Sequence, residues 1–166
     1  MSGLRCACAG HRRSGAQVCA ELPGLLEDFG EVQADEAQRF GYPPAHGVVV
    51  DAYMAQHPGD CSDRRDRQSV FVHLVGLCAL LEHRLGHPYA TRLLGLVIRR
   101  RHGEFPILLR THGPGSLTVL HMVGAADGDD YEWRAREWAA AVWDSWGAQH
   151  ELIRAELHSV LDSAQT

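Results

Sequence analysis

"QSVFVHLVGLCALLEHRL", residues 68–85, decides the fold. Wound at 3.6 residues per turn, its apolar side chains from Val70 to Leu85 point in nearly every direction. A helix apolar all round is a buried helix, so this segment is expected at the centre of a helical bundle. Ser62 or Asp63 stands where an N-cap is needed, and Gly86 stands where such a helix stops.

Working outward, "VVVDAYMAQHPGDCSD" (48–63) precedes it. Pro44 suits the first position of a helix, and Val49, Val50, Tyr53 and Met54 give that helix one apolar side. The residue before a proline is pushed out of the helical region, so the helix is expected to end at Gln56 or His57, ahead of Pro58. Further upstream, Val18, Leu22, Leu25, Leu26 and Phe29 recur at helical spacing, with Pro23 kinking or opening the helix; a short helix over 33–40 follows. Downstream, Pro88 opens another helix through Arg100, and the glycines and prolines of 103–115 read as loop. Ser116 or Thr118 caps a short apolar segment ending at Val123. The last helix is expected from about Asp130 to Leu161, with a stripe of Trp143, Trp146, His150, Ile153, Leu157 and Val160 in alternating steps of 3 and 4. The expectation is one all-α domain over 1–166: an irregular Cys-containing N-terminal knuckle (1–15), then a bundle of five or six helices (16–163).

The totals fit. A chain of 166 residues with 45% hydrophobic and 22% charged side chains has the composition of a globular domain, and it buries enough surface to fold without a disulfide or metal. A net charge of −5 argues against nucleic-acid binding; "RRRH" (99–102) reads instead as cations at a helix C-terminus. No run of 18 apolar residues and no N-terminal apolar h-region is present, so neither a membrane span nor a signal peptide is expected. The cytoplasm and reduced thiols follow as expectations.

Eleven histidines are the anomaly of the composition. His150 holds a stripe position that its neighbours fill with apolar groups, so its ring is expected inside the bundle. A buried imidazole needs a partner; unpaired, it costs about 1–3 kcal/mol. Either a carbonyl or hydroxyl satisfies it, or it is a ligand or general base. His73, between Val72 and Leu74, raises the same alternatives, with Ser69 one turn earlier as a possible partner. Tyr53 and His57 share a face, whereas Asp51 and His57 do not. His46 and His57 return to one face but about 16 Å apart, too far for one ion. Cys6, Cys8 and Cys19 suggest a zinc knuckle, with His57, Cys61 or His11 as fourth ligand; a thiol cluster without metal is the alternative. Cys78 reads as core, and His83 with His87 as a helix end rather than a metal pair.

"VVVDAYMAQHPG", "RQSVFVHLVGLCALLEHRL" and "WAAAVWDSWGAQH" together resemble an uncharacterised bacterial family, the domain of unknown function numbered 5946. The resemblance spans about residues 6–155 and falls on Asp51, Tyr53, Gln56, His57, Pro58, Ser69, His73, Trp138, Trp143, Trp146 and His150. The family's opening resembles C-P-x-C-G, whereas this chain has "CACAG", one residue shorter between its two cysteines. The resemblance points to the polar residues that matter and implies no reaction.

The expected function is zinc binding by a helical bundle: Cys6, Cys8, Cys19, His57 and His73 as metal ligands, and Asp51, Tyr53 and His150 as catalytic groups. Metal-assisted hydrolysis or group transfer on a small molecule would follow. The alternatives are an interaction module, with a homodimer through the tryptophan seam, and a metal-free small-molecule binder.

Overall fold

The computed structural model describes residues 15–110, 112–113 and 115–164, with side chains from residue 28 to 163. Residues 1–14, and with them Cys6 and Cys8, lie outside the described residues, as does the side chain of Cys19. Six α-helices follow in order: α1 Gly15–Phe40, α2 His46–Gln56, α3 Arg64–Leu81, α4 His87–Arg101, α5 Gly128–Asp144 and α6 His150–Ala164. Two 3₁₀ turns, Val119–Met122 and Gly147–Gln149, lie beside α5. No strand occurs among the described residues, and no helix there is long and apolar enough to cross a membrane.

α3 is the central helix, packed against α2, α4, α5 and α6. Its Phe71, Leu74 and Leu77 are fully buried with Val49 and Ala52 of α2, Trp138 and Val142 of α5, and Ile153 and Leu157 of α6. Asp63 caps it, accepting from the backbone N–H groups of Arg65 (2.6 Å) and Asp66 (3.3 Å). α2 ends at Gln56 ahead of Pro58, and Gly86 with Pro88 opens α4. The arginine run bonds α4 to α6: Arg100 Nη1 donates to the Ser159 carbonyl (3.0 Å), and Arg101 pairs with Glu156.

Three helices differ from the sequence reading. α3 stops at Leu81 rather than at Gly86: Arg84 takes a left-handed conformation (φ 52°) and the Leu85 N–H turns back to the Ala79 carbonyl (3.0 Å). α1 is continuous through Pro23 and Gly30 rather than split. Packing on both sides of Gly30 accounts for continuity there: Phe29 stacks on Tyr53 at 3.8 Å, while Val32 and Glu36 are buried. The final helix is broken. Ser145 Oγ turns back to the Val142 carbonyl (2.6 Å), the Trp146 N–H bonds the Trp143 carbonyl (2.9 Å), and α6 begins at His150. The 3-and-4 spacing persists across the break, so Trp143, Trp146, Ile153, Leu157 and Val160 are all buried although Trp146 lies in the break and the others sit on two helices. With these tryptophans in the chain's own core, Trp133 is the exposed one, at 58%.

Candidate functional site

α2 lies between α1 and α3, and its polar residues divide between those two sides. Asp51 and Tyr53 project about 200° apart on a helix. Asp51 faces α3, where Gly76 leaves room; a Cβ at position 76 would run into Asp51 Oδ2. His73, one turn earlier on α3, donates from Nδ1 to Asp51 Oδ1 at 2.7 Å. The Asp51 side chain is 9% exposed and the His73 ring 20%. Burial pushes the Asp51 carboxyl above the usual aspartate range, while the hydrogen bond and charge of His73 pull it back. The partner of His73 is therefore a carboxylate on another helix, not the nearby Ser69.

Two further histidines lie beside this pair. The His87 ring, at the start of α4, packs directly on Gly47, where a Cβ would overlap it, and its charge reaches Asp51. The His46 ring centre is 6.5 Å from that of His87, and His46 Nδ1 lies 2.8 Å from Glu36 Oε2 of α1. Glu36 is completely buried. Its other oxygen stands beside the Tyr131 hydroxyl, but no well-formed hydrogen bond closes between them. Burial first, then the Glu36 carboxylate, raises the Tyr131 hydroxyl. Two imidazoles are thus each engaged at Nδ1 by a buried carboxylate. Glu36, His46 and His87 were not singled out by sequence as one site, because their partners come from distant segments. The glycines were the available signal: a glycine inside a helix often marks a close approach, and Gly47 and Gly76 both do.

The other sequence-derived residues stand elsewhere. Tyr53 is buried against Phe29 and His57, the latter ring 4.6 Å away. Burial lowers the His57 imidazole, and the Arg110 guanidinium lowers it further. Arg110 donates to the Ala55 and Gln56 carbonyls at the C-terminus of α2 and lies over the Trp146 ring. Gln56 joins three segments, accepting from Trp138 Nε1 (3.1 Å) and donating to the Leu117 carbonyl (2.7 Å). His150 stacks on Trp143 at 3.9 Å, and its Nε2 donates to the Trp143 carbonyl (2.9 Å), closing the end of α5. Trp143 Nε1 donates to Glu82, and Arg154 holds both Glu82 oxygens at 2.7 Å each. Arg154 is the main reason the Glu82 carboxyl drops to about 2. His73 and Glu82 lie about half a revolution and roughly 13 Å apart along α3. Asp51 and His73 meet, while His150 belongs to the Glu82 cluster on the other side of α3. Cys78, Glu82 and His83 are the group of three potential metal ligands found among the described residues, their donor atoms within 4.8 Å of one another.

The architecture is therefore an all-α bundle in which a buried carboxylate engages a partly exposed imidazole. The chain belongs to the family described as "Family of unknown function (DUF5946)", whose model matches residues 5–147. That match ends at the α5–α6 break, three residues before His150. No curated protein and no solved structure matches the chain.

Proposed function

We propose that the protein acts on a small molecule by proton transfer at His73, in hydrolysis or group transfer. The observation that carries this reading is the Asp51–His73 hydrogen bond of 2.7 Å, built at a position that Gly76 keeps clear. With Nδ1 engaged by a carboxylate, one tautomer is selected and Nε2 is the nitrogen left to take or give a proton. The same arrangement favours the imidazolium once a proton is taken, which is the task of the carboxylate in acyl-transfer triads. Asp51 orients the ring; His73 is the general base. His46, backed by Glu36, and His87 place further titratable rings around the substrate side of the pair.

Zinc belongs to this reading as a structural element at Cys6, Cys8 and Cys19. His57 supports it from the α2 end, because burial and Arg110 keep its ring in the neutral, ligating form.

Hydrolysis of 4-nitrophenyl acetate by the full chain tests the proposal. His73→Gln is expected to lower the rate by roughly 10²-fold, the usual contribution of a positioned base. Asp51→Asn is expected to retain part of the rate with an altered pH profile, and exposed His102→Gln to leave it unchanged. Wild-type hydrolysis by a folded His73→Gln variant overturns the reading.

A further inference from the structure

On the side of α3 away from His73, metal-ligating side chains meet where α3 ends against α6. Cys78 and Glu82 are one turn apart, with Sγ 3.8 Å from Oε2. His83 lies two residues past the last residue of α3, Leu81, so its ring is not confined by a continuing helix. His158 comes from α6, its ring centre 5.3 Å from that of His83 and nearly perpendicular, at 82°. The donor atoms of Cys78, Glu82 and His83 lie within 4.8 Å of one another, with His158 beside His83 but outside that group, and the Cys78–Glu82 and His83–His158 separations are close to those around a tetrahedral ion. Metal–sulfur bonds of about 2.3 Å and metal–oxygen bonds of about 2.0–2.2 Å put sulfur and oxygen roughly 3.5 Å apart, and two imidazoles on one zinc have ring centres roughly 5 Å apart. The place already holds a cation. Arg154, one turn before His158 on α6, engages both oxygens of Glu82. The C-terminal end of α3 adds partial negative charge.

We propose that Cys78, Glu82, His83 and His158 form a site for a thiophilic divalent metal of zinc's class, with Arg154 occupying the place of the ion when the metal is absent. One sulfur, two imidazole nitrogens and one carboxylate oxygen make a borderline-soft donor set, which suits zinc and not calcium or magnesium. Binding forms a sulfur–metal bond as the S–H bond of Cys78 breaks and its proton passes to solvent, while Arg154 leaves Glu82 for water. Because Cys78 ligates as its thiolate, uptake releases a proton and strengthens as pH rises.

Cobalt(II) is the probe, titrated into the full chain at pH 8 after chelator treatment. Tetrahedral coordination with sulfur gives intense visible bands and a thiolate-to-cobalt band in the near ultraviolet. His158→Gln changes an exposed residue and is expected to weaken this site at least about 10-fold, with loss of part of the visible absorption. Arg154→Gln removes the competing cation and is expected to tighten it by about 10-fold. Cys78→Ser is expected to remove this site's share of the near-ultraviolet band. The N-terminal thiols are the same in every variant, so the differences read this site alone. Folded His158→Gln protein that binds cobalt with wild-type affinity and spectrum overturns the proposal, as does Arg154→Gln protein with unchanged or weaker affinity. These two variants decide the matter even where Cys78→Ser fails to fold.

Discussion

Asp51 is a carboxylate hidden from water and compensated mainly by one imidazole. Removing that imidazole shows how much the pair contributes. In His73→Leu, both influences of His73 that lower the Asp51 carboxyl vanish, leaving burial opposed by the distant charge of His87 alone. The folded-state value then rises further above the ordinary 3.8. A carboxyl raised on folding contributes stability that is complete below its unfolded value and is lost as pH climbs through its folded value. The variant's deficit against wild type is therefore expected to widen from about pH 3.5 to neutrality. It should reach about 3 kcal/mol at pH 7, the usual cost of stranding one partner of a buried pair. Urea unfolding of both proteins at the two pH values measures it; a deficit that does not grow with pH would mean Asp51 stays ionised and solvated without its partner.

Helix crossings place the site, and glycines set how close the helices come. Gly76→Ala adds a methyl where Asp51 sits and is expected to cost about 1–3 kcal/mol, despite the roughly 1 kcal/mol gain in helix propensity. Gly95→Ala, in the interior of α4, meets little but the Arg99 side chain at 3.5 Å and is expected to stabilise by up to about 1 kcal/mol. Thermal melts of the pair check the contrast; equal shifts would show that Asp51 has no fixed place on α3. Much of this level was legible in sequence: Asp63 caps α3, Gly86 with Pro88 opens the next helix, and Pro58 ends α2. The end of α3 was not, because the chain leaves the helix after Leu81 and turns at Arg84 (φ 52°), which carries no breaker chemistry. The α5–α6 break was not legible, because the apolar spacing runs across it unaltered. The continuity of α1 was hidden for the opposite reason: Gly30 is a local breaker overridden by the packing of Phe29 on Tyr53 of α2, and the helix also runs on through Pro23. At the site, Asp51 and His73 carried a sequence signal as polar residues among apolar neighbours. Glu36 carried none, because its reason for burial, His46, comes from the next helix.

At the scale of the whole molecule, the break after α5 lets the chain return to cover α3. α6 contributes Ile153, Leu157 and Val160, each at most 1% exposed, and packs on both α3 and α4. The family match stops at residue 147, before this helix, so the matched part includes the Asp51–His73 pair but not all of the core that supports it. Deleting a buried leucine side chain costs about 2–5 kcal/mol, and a whole domain is stable by about 5–15 kcal/mol. Loss of all three α6 side chains therefore consumes most of the stability. Leu157→Ala is expected to lower the unfolding free energy by about 2–5 kcal/mol with an unchanged denaturant slope. A chain ended after Gly147 is expected to lose its cooperative thermal transition and to expose the apolar α6 side of α3. Circular dichroism melts of the two variants test this dependence. A truncated chain that still melts in one sharp step would place the folding unit within residues 5–147 and make α6 an accessory to it.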